Sequence, residues 1–567
     1  MKEITLKNGR LYIPTALVMS VLKPGFGKVK TVMKKNFTAI RWESGFWVVL
    51  ADEQNINSCN LIFNTKFQAK VVDTTTINYL FKTTPRQCQM EALAAGQGQQ
   101  GFAYFMEPGL GKTKVVIDEA QMLNRDDLVD TILIICPKSV IPTWLRQIQE
   151  HGHSDNWNIA WWDTDPGKSR VEVEQRCKKP DMWWFIVSEG NLIHPTAWDI
   201  IYKFLCSSIK TMAVIDESTS IKNVSANRTK RAYVIRDMVE WRRILTGTPM
   251  ADGKPTDFYA QLCFLDPEIF QGMSFSAFKR EYCVLGGYKR REILGYINQV
   301  ELASTVAQYS YTARKKDYLD LPPRVYETRE LTLSPAGRRN YDAIVSEIMV
   351  AVKGQTITLD TVGAKIMKLR QLCGGFILPD KEEGKKREAV PMGTEKLDDL
   401  KHFMEECRTV QVLIWCFFEH EIHAIHRMIS DMSFKVEKYY GATKTKDRRR
   451  LEDDFEAGKF QVMVTQVDTG GMGLTLNAAS VSYYYSNPTY FLPRTQSEER
   501  NYRDGQNKCT TVVDAFMSGT VDESIYRMMK EKKDVSNRFM SAIKDPLAME
   551  ELLYPKRKRR QWKNVIK

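Results

Sequence analysis

Lys112 and Thr113 follow a tight Pro108-Gly109-Leu110-Gly111 loop, and these six residues together have the chemistry to hold a nucleotide's phosphates. The apolar run Phe102-Ala103-Tyr104-Phe105 before them reads as a buried strand, and Lys112-Thr113-Lys114-Val115-Val116-Ile117 has the composition of a helix start. That order gathers backbone N–H groups and a helix N-terminus around one point, which is an anion site. Lys112 would set a point charge against the β- and γ-phosphates, and the Thr113 hydroxyl would hold a magnesium ion bridging them. The loop departs from the strict G-x-x-x-x-G-K-[ST] pattern, because Met106 stands at the first glycine. A Gly-rich turn with a surface lysine is the alternative at this point.

Three further groups could complete such a site. The apolar run Thr211-Met212-Ala213-Val214-Ile215 ends in Asp216-Glu217. A strand that delivers two adjacent carboxylates to its C-terminal edge, beside a phosphate loop, supplies a magnesium ligand in Asp216 and a base for the attacking water in Glu217. Leu245-Thr246-Gly247-Thr248-Pro249 offers small hydroxyl residues and a glycine, suited to a tight loop that senses the phosphate state. Far downstream, the stretch from Gln496 to Gln506 sets Arg500 and Arg503 at i and i+3, which predicts that both lie on one face of a helix. Arginine suits bidentate contact with a phosphoryl group whose charge is rearranging, so these two would act as arginine fingers. Such a contribution is on the order of 10³-fold or more where it is known. They come from a different part of the chain, so catalysis is expected to need two domains closing on each other.

Positioning these residues calls for two α/β domains. Strands and helices alternate over residues 81–270, where Thr131-Ile132-Leu133-Ile134-Ile135-Cys136 and the Thr211 run are continuous apolar stretches, as strands buried on both faces of a parallel sheet should be. A second such series spans 391–540, with Gln411-Val412-Leu413-Ile414-Trp415 and Gln461-Val462-Met463-Val464 as its clearest strands. Between them, 271–390 reads as a mainly helical insertion ending in a charged link. Residues 1–80 read as a small β-rich accessory module, because Asn8-Gly9 and Glu43-Ser44-Gly45 each separate two strand-like runs. Its lysines at 23, 28, 30, 34 and 35, interleaved with Trp42, Phe46 and Trp47, could grip nucleic acid or solvate a small core. The basic tail, 541–567, ends in Lys556-Arg557-Lys558-Arg559-Arg560. The Trp183-Trp184-Phe185-Ile186-Val187 run reads as core strand.

At 567 residues the chain is too long for one core. A formal charge of +13 favours a polyanionic partner such as nucleic acid over an acidic small substrate. Eleven cysteines, an odd number without a C-x-x-C pair, argue against a disulfide framework or a zinc ribbon and point to a reducing compartment. No apolar run approaches eighteen residues, so no membrane association is expected. The expected location is the cytoplasm of a bacterial or phage-infected cell, or the nucleus if the source is eukaryotic, and the expected state is a monomer.

The motifs Met106-Glu107-Pro108-Gly109-Leu110-Gly111-Lys112-Thr113, Asp216-Glu217-Ser218-Thr219-Ser220-Ile221-Lys222-Asn223, Leu245-Thr246-Gly247-Thr248-Pro249 and the Gln496 to Gln506 block, in that order, resemble the Swi/Snf-like branch of the superfamily-two helicases. Cys136-Pro137-Lys138-Ser139-Val140 with Trp144, Phe264-Leu265-Asp266-Pro267, Leu319-Asp320-Leu321-Pro322-Pro323, Leu369-Arg370-Gln371-Leu372-Cys373-Gly374-Gly375 and Thr469-Gly470-Gly471-Met472-Gly473-Leu474-Thr475-Leu476 fill the gaps, so the resemblance covers about 85–540. It implies two RecA-like lobes that hydrolyse ATP with magnesium while walking along duplex or branched DNA. By motif position, Arg86 and Gln89 look like the adenine-side motif, with Gln87-Cys88 in place of the usual Pro-Tyr. The nucleotide-binding set it implies also takes in Lys114, Gln496 and Gly473.

Ser139, Thr469 and Gly473 sit where family members touch the tracking strand's phosphates, a job suited to small residues and backbone amides because phosphate carries no base sequence. Ser218-Thr219 replaces the Ala-His often found after the acidic pair, a change expected to affect coupling to the Leu245–Pro249 motif, and Thr475 stands where asparagine is usual. The N-terminal module resembles the small domain before the motor in annealing helicases and phage branch-migration helicases. The expected function is an ATP-dependent double-stranded DNA translocase or helicase that remodels forks, branched DNA or protein–DNA complexes in replication, recombination or repair. A processive strand-separating helicase and a non-enzymatic DNA-binding scaffold with a decayed motor are the alternatives.

Overall fold

The computed structural model describes 74–544 apart from 154–156, 163–181, 251–252, 288–291, 354–358, 380–387 and 471–475, together with four strands among the first fifty residues. Those strands, β1 (Thr5–Lys7), β2 (Arg10–Pro14), β3 (Arg41–Glu43) and β4 (Phe46–Leu50), form an antiparallel sheet in the order β1-β2-β4-β3. Thr5 pairs with Tyr12 and Trp42 with Trp47. Asn8-Gly9 and Ser44-Gly45 lie outside the described residues. Gly473, Thr475, the lysines at 23–35 and the basic cluster at 556–560 lie outside the described residues.

The remainder divides into two units, the first reaching Arg314 and the second starting at Lys315. The core of the first is a seven-stranded sheet of β5 (Gly101–Met106), β6 (Thr131–Cys136), β7 (Trp157–Trp161), β8 (Met182–Ser188), β9 (Thr211–Asp216) and β10 (Trp241–Leu245), with β13 (Ser310–Ala313) at one edge beyond the small hairpin β11 (Cys283–Gly286) and β12 (Glu292–Tyr296). The order is β13-β5-β10-β9-β6-β8-β7 and every pairing is parallel. Parallel neighbours need crossover connections, so helices cover both faces and the strands read as unbroken apolar runs. Every residue of β6, β8 and β9 is buried, Trp183 and Trp184 among them.

The second unit has a six-stranded sheet, again parallel throughout, in the order β14-β21-β20-β17-β19-β18. Its strands are β14 (Arg324–Leu331), β17 (Val412–Cys416), β18 (Val436–Tyr439), β19 (Val462–Gln466), β20 (Val481–Tyr484) and β21 (Thr510–Met517), and β15 (Phe376–Ile377) with β16 (Val390–Pro391) forms a separate short ribbon. The chain is thus an α/β protein with two parallel-sheet lobes.

The stretch 271–390 holds the helices Phe275–Tyr282, Gln299–Gln308, Pro335–Lys353 and Leu359–Cys373, and adds to them the β11–β12 hairpin and one edge strand of each large sheet, β13 and β14. β14 is a charged strand, RVYETREL, no residue of which is fully buried. An edge strand with a solvated face lacks the apolar run that marks a central strand.

The helix Lys112–Arg125, which follows the phosphate loop, is fastened to the sheet by a buried charge pair. Arg243 on β10, with no exposed surface, donates to Glu119 at 2.9 and 2.6 Å, and Tyr104 on β5 donates to the same carboxylate at 3.0 Å. The guanidinium also donates to the carbonyls of Gln100 and Arg242, so both charges are hydrogen-bonded. Gly96 closes over Tyr104: a Cβ there would come within 2.3 Å of the phenolic oxygen. Arg243→Met leaves Glu119 buried without its counter-charge, and unfolding of the first unit should lose about 3–5 kcal/mol. Denaturant titration of the variant beside wild type reads this directly, and an unchanged midpoint would show that the pair holds nothing.

Candidate functional site

The order β5-β10-β9-β6 brings four strand ends to one edge of the first sheet. The loops leaving them carry, in turn, Pro108 to Gly111, Thr246 to Pro249, Asp216-Glu217 and Ser139. Residues more than a hundred positions apart therefore become neighbours, as expected where ligands bind outside the carboxyl ends of parallel strands.

The phosphate loop has the geometry that the glycines suggest. Gly109 and Gly111 have φ of 91° and 82°, the left-handed region that a side chain disfavours, and Gly111 is the residue from which the helix Lys112–Arg125 starts. A Cβ on Gly111 would stand 2.1 Å from the Gln89 amide nitrogen. That amide donates to the Leu110 carbonyl at 3.1 Å while its oxygen accepts the Arg86 backbone N–H at 2.8 Å, and the Arg86 guanidinium reaches the Gly109 carbonyl at 3.4 Å. Gln89 is buried. The two residues expected on the adenine side thus brace the phosphate loop itself. Lys112 donates to the Met106 carbonyl at 2.8 Å, so its ammonium lies back over the end of β5. Thr113 follows in the first turn, half-buried. The Lys114 ammonium is buried, 2.6 Å from Asp118 one turn on and over the Phe81 ring.

Asp216 ends β9 and is buried, accepting from the Trp144 indole at 2.9 Å and, on its other oxygen, from the Glu217 backbone at 3.0 Å. Burial, and next the adjacent Glu217, push its pKa above the usual aspartate range, while the Lys112 ammonium opposes the shift. Glu217 has φ of 49° and ψ of 57°, a left-handed conformation that costs a non-glycine residue on the order of 1 kcal/mol. The kink turns its carboxylate toward β10's loop, where the Thr246 hydroxyl donates to it at 3.2 Å and in turn accepts the Thr248 N–H at 3.0 Å. Gly247 lies close beneath: a Cβ there would meet Pro108 of the phosphate loop at 2.6 Å.

The substituted Ser218 supplies a second link between the same two loops. Its hydroxyl donates to Gln261 at 2.7 Å, and the Gln261 amide donates to the Pro249 carbonyl at 2.8 Å. Trp144, Ser218 and Gln261 were not singled out as site residues. Trp144 lies in a quoted motif, whereas no local pattern marks Gln261.

In the second unit the expected helix carrying both arginines is corrected. The helix Phe491–Glu498 ends before them, and Arg500 and Arg503 lie in an irregular turn. Gly505, at φ 90°, and the Asp504 before it belong to a turn that a helix could not continue through. Gln506 pins the turn from inside: buried, it donates to the carbonyls of Asn501 at 2.8 Å and Asn477 at 2.9 Å, and its oxygen accepts from Lys508 N–H at 2.9 Å. Arg500 is buried, and its carbonyl accepts from Leu476 N–H at 2.9 Å. Arg503 is half-buried and donates through Nε to the Glu499 carbonyl at 3.1 Å. Gln496 sits half-buried on the preceding helix.

Behind the turn, Arg494 is buried against Asp514 at 2.5 and 2.9 Å and Glu498 at 2.8 Å, with its guanidinium 3.4 Å over Tyr484. The attraction of Lys533, Arg494 and Arg324 outweighs the burial of Glu498, whose carboxyl is held far below the usual range. Of the residues expected on the DNA, Ser139 is exposed at the end of β6, and Thr469, half-buried after β19, donates to Gln466 at 3.3 Å.

The SNF2-related domain family model matches residues 90–375, just over half the chain. The chain belongs to this family. The helicase conserved C-terminal domain matches 395–505, so the second match ends at the arginine turn of this SNF2-related protein. Among the relatives, the DNA excision repair protein CSB of Oryza sativa subsp. japonica is 23% identical over 487 residues, covering 78% of this chain and 39% of that protein. The putative ATP-dependent helicase/translocase YwqA of Bacillus subtilis is 22% identical over 451 residues, covering 76% and 46%. The chain thus spans less than half the length of either relative. A solved structure titled Sulfolobus solfataricus SWI2/SNF2 ATPase core in complex with dsDNA matches with a TM-score of 0.37 at 20% identity, covering 84% of this chain and 97% of that one.

The Thr246 hydroxyl links the loops of the first unit's candidate site, since it bonds Glu217 and Thr248 at once. Thr246→Val keeps the shape and removes both bonds, and should slow ATP turnover about tenfold with the KM for ATP little changed. Steady-state kinetics decides, and a wild-type turnover would show that Glu217 is placed by its backbone alone.

Proposed function

We propose that this SNF2-related chain is a DNA-dependent ATPase that couples ATP hydrolysis to movement along duplex DNA. The observation that carries the reading is the arrangement at the first sheet's edge: a strained Glu217 held by Thr246, beside a buried Asp216 and a lysine-bearing phosphate loop. Such a constellation needs a reason to tolerate a buried carboxylate beside a second one. A magnesium–nucleotide complex supplies that reason, because it would neutralise Asp216. The donor set fits: one carboxylate and the Thr113 hydroxyl are hard oxygen ligands of the kind magnesium takes, leaving further positions for phosphate oxygens and water. Magnesium when bound would offset the charge developing on the phosphates.

In this reading the loop N–H groups from Gly109 to Thr113 cradle the phosphates and Lys112 neutralises them. Glu217 orients and deprotonates the attacking water, which the Thr246 bond keeps aimed. Arg500 and Arg503 stabilise the phosphoryl group as its charge spreads. The names of the relatives, an ATP-dependent helicase/translocase and an excision repair protein, support a motor acting on DNA in repair or recombination. The formal charge of +13 supports a polyanionic track. Ser139, exposed at the same sheet edge, suits contact with strand phosphates.

One panel tests this: ATP hydrolysis with no DNA and with single-stranded, duplex, forked and four-way-junction DNA. Blunt duplex is expected to stimulate, and stimulation by tailed or single-stranded DNA alone would make the protein a strand-separating helicase instead. Lys112→Ala should abolish turnover while DNA affinity stays within about twofold. Glu217→Gln should bind ATP and stall before hydrolysis, trapping a DNA-bound state visible in a filter or mobility-shift assay. Normal hydrolysis by that variant would reassign the base.

A further inference from the structure

The turn that carries Arg500 and Arg503 is held from outside as well as from inside, by a segment far away in sequence. Lys315, only 3% exposed, opens the main segment of the second unit, directly after Arg314 of the first. Its ammonium donates to the Glu499 carboxylate and to the Tyr502 carbonyl. Arg324 donates to the other Glu499 oxygen at 3.2 Å and lies 3.8 Å over the Tyr502 ring, whose hydroxyl donates to the Pro322 carbonyl at 3.1 Å.

The Glu499 carbonyl, in turn, accepts Arg503 Nε at 3.1 Å. Lys315 therefore binds both residues that frame the finger: the one whose carbonyl receives Arg503, and the one immediately before Arg503. Burial pushes the Lys315 pKa below the usual lysine range, Glu499 opposes that shift, and Arg324 and Arg503 add to it. A buried ammonium is retained only where specific acceptors compensate it, and here both acceptors belong to the arginine turn.

We propose that Lys315 is a positioning residue for Arg503, fastening the turn to the point where the chain passes from one unit to the other. The clamp gives the interunit crossover a direct mechanical connection to a group that acts on the phosphoryl transfer. The inference rests on the reading of Arg503 as a finger, so its test includes that reading as a separate arm.

The experiment measures duplex-stimulated ATP hydrolysis by the full chain, with turnover normalised to sites titrated by a non-hydrolysable ATP analogue. Lys315→Met should lower kcat at least tenfold with the KM for ATP within twofold of wild type, and Glu499→Gln should do the same more mildly. In an Arg503→Ala background, Lys315→Met should add less than a further twofold, because the group it positions is gone. A Lys315→Met enzyme with wild-type kcat overturns the inference. So does a loss that multiplies in full on the Arg503→Ala background, which would mark a general folding defect. If wild type shows no DNA-stimulated hydrolysis, or Arg503→Ala hydrolyses normally, the functional reading fails instead.

Discussion

Parallel alignment of β5, β10, β9 and β6 is the constraint from which the candidate site of the first unit follows. In a parallel sheet all carboxyl ends face one edge, so whatever the strands carry at their ends is delivered to one place. What alignment alone does not settle is depth and aim. The pair of Arg243 and Glu119 sets the first, since it ties the helix behind the phosphate loop to the middle of β10. The αL kink at Glu217 sets the second, turning a carboxylate that would otherwise continue β9 toward Thr246. Sheet, anchor and kink act in series, and the loss of any one would leave the other two without an object.

The second unit solves the corresponding problem differently. Its arginines are not on a regular element, so hydrogen bonds fix them where backbone geometry would otherwise do so. Gln506 holds the turn to the approach of β20, and Arg494, through Asp514 and Glu498, holds the helix that precedes it. A buried charge network of this kind adds little to stability beyond what apolar packing would supply, but it permits few alternative arrangements. For a residue proposed to meet a transferring phosphoryl group, few alternatives is the property that matters.

The two sheets, the phosphate loop and the acidic pair were legible because their signals are local. An apolar run of six residues, two glycines before a lysine, and a strand ending in Asp-Glu each carry their meaning within ten residues. The arginine turn has the opposite character. The spacing of Arg500 and Arg503 fits a helix, yet the helix stops at Glu498, and the contacts that hold the turn come from Asn477 and Ala479 on another segment. The Lys114 ammonium pairs with Asp118 within its own helix, and the Gln89 amide meets the Leu110 carbonyl across the fold. The second contact is marked by no local pattern.

The Ser218 substitution shows how such a contact can stand in for a departure from the family's pattern. A small hydroxyl in place of the usual alanine would seem to add an unpaired polar atom to a fully buried position, at a cost of about 1–3 kcal/mol. Instead it donates to Gln261, whose amide holds the carbonyl of Pro249, so the acidic loop and the Leu245–Pro249 loop are joined twice. One joint runs through Glu217 and Thr246, and the other, through Ser218 and Gln261, bypasses both. Under the proposed reading of Glu217 as the base, the second joint is the one that a change of charge on Glu217 leaves intact.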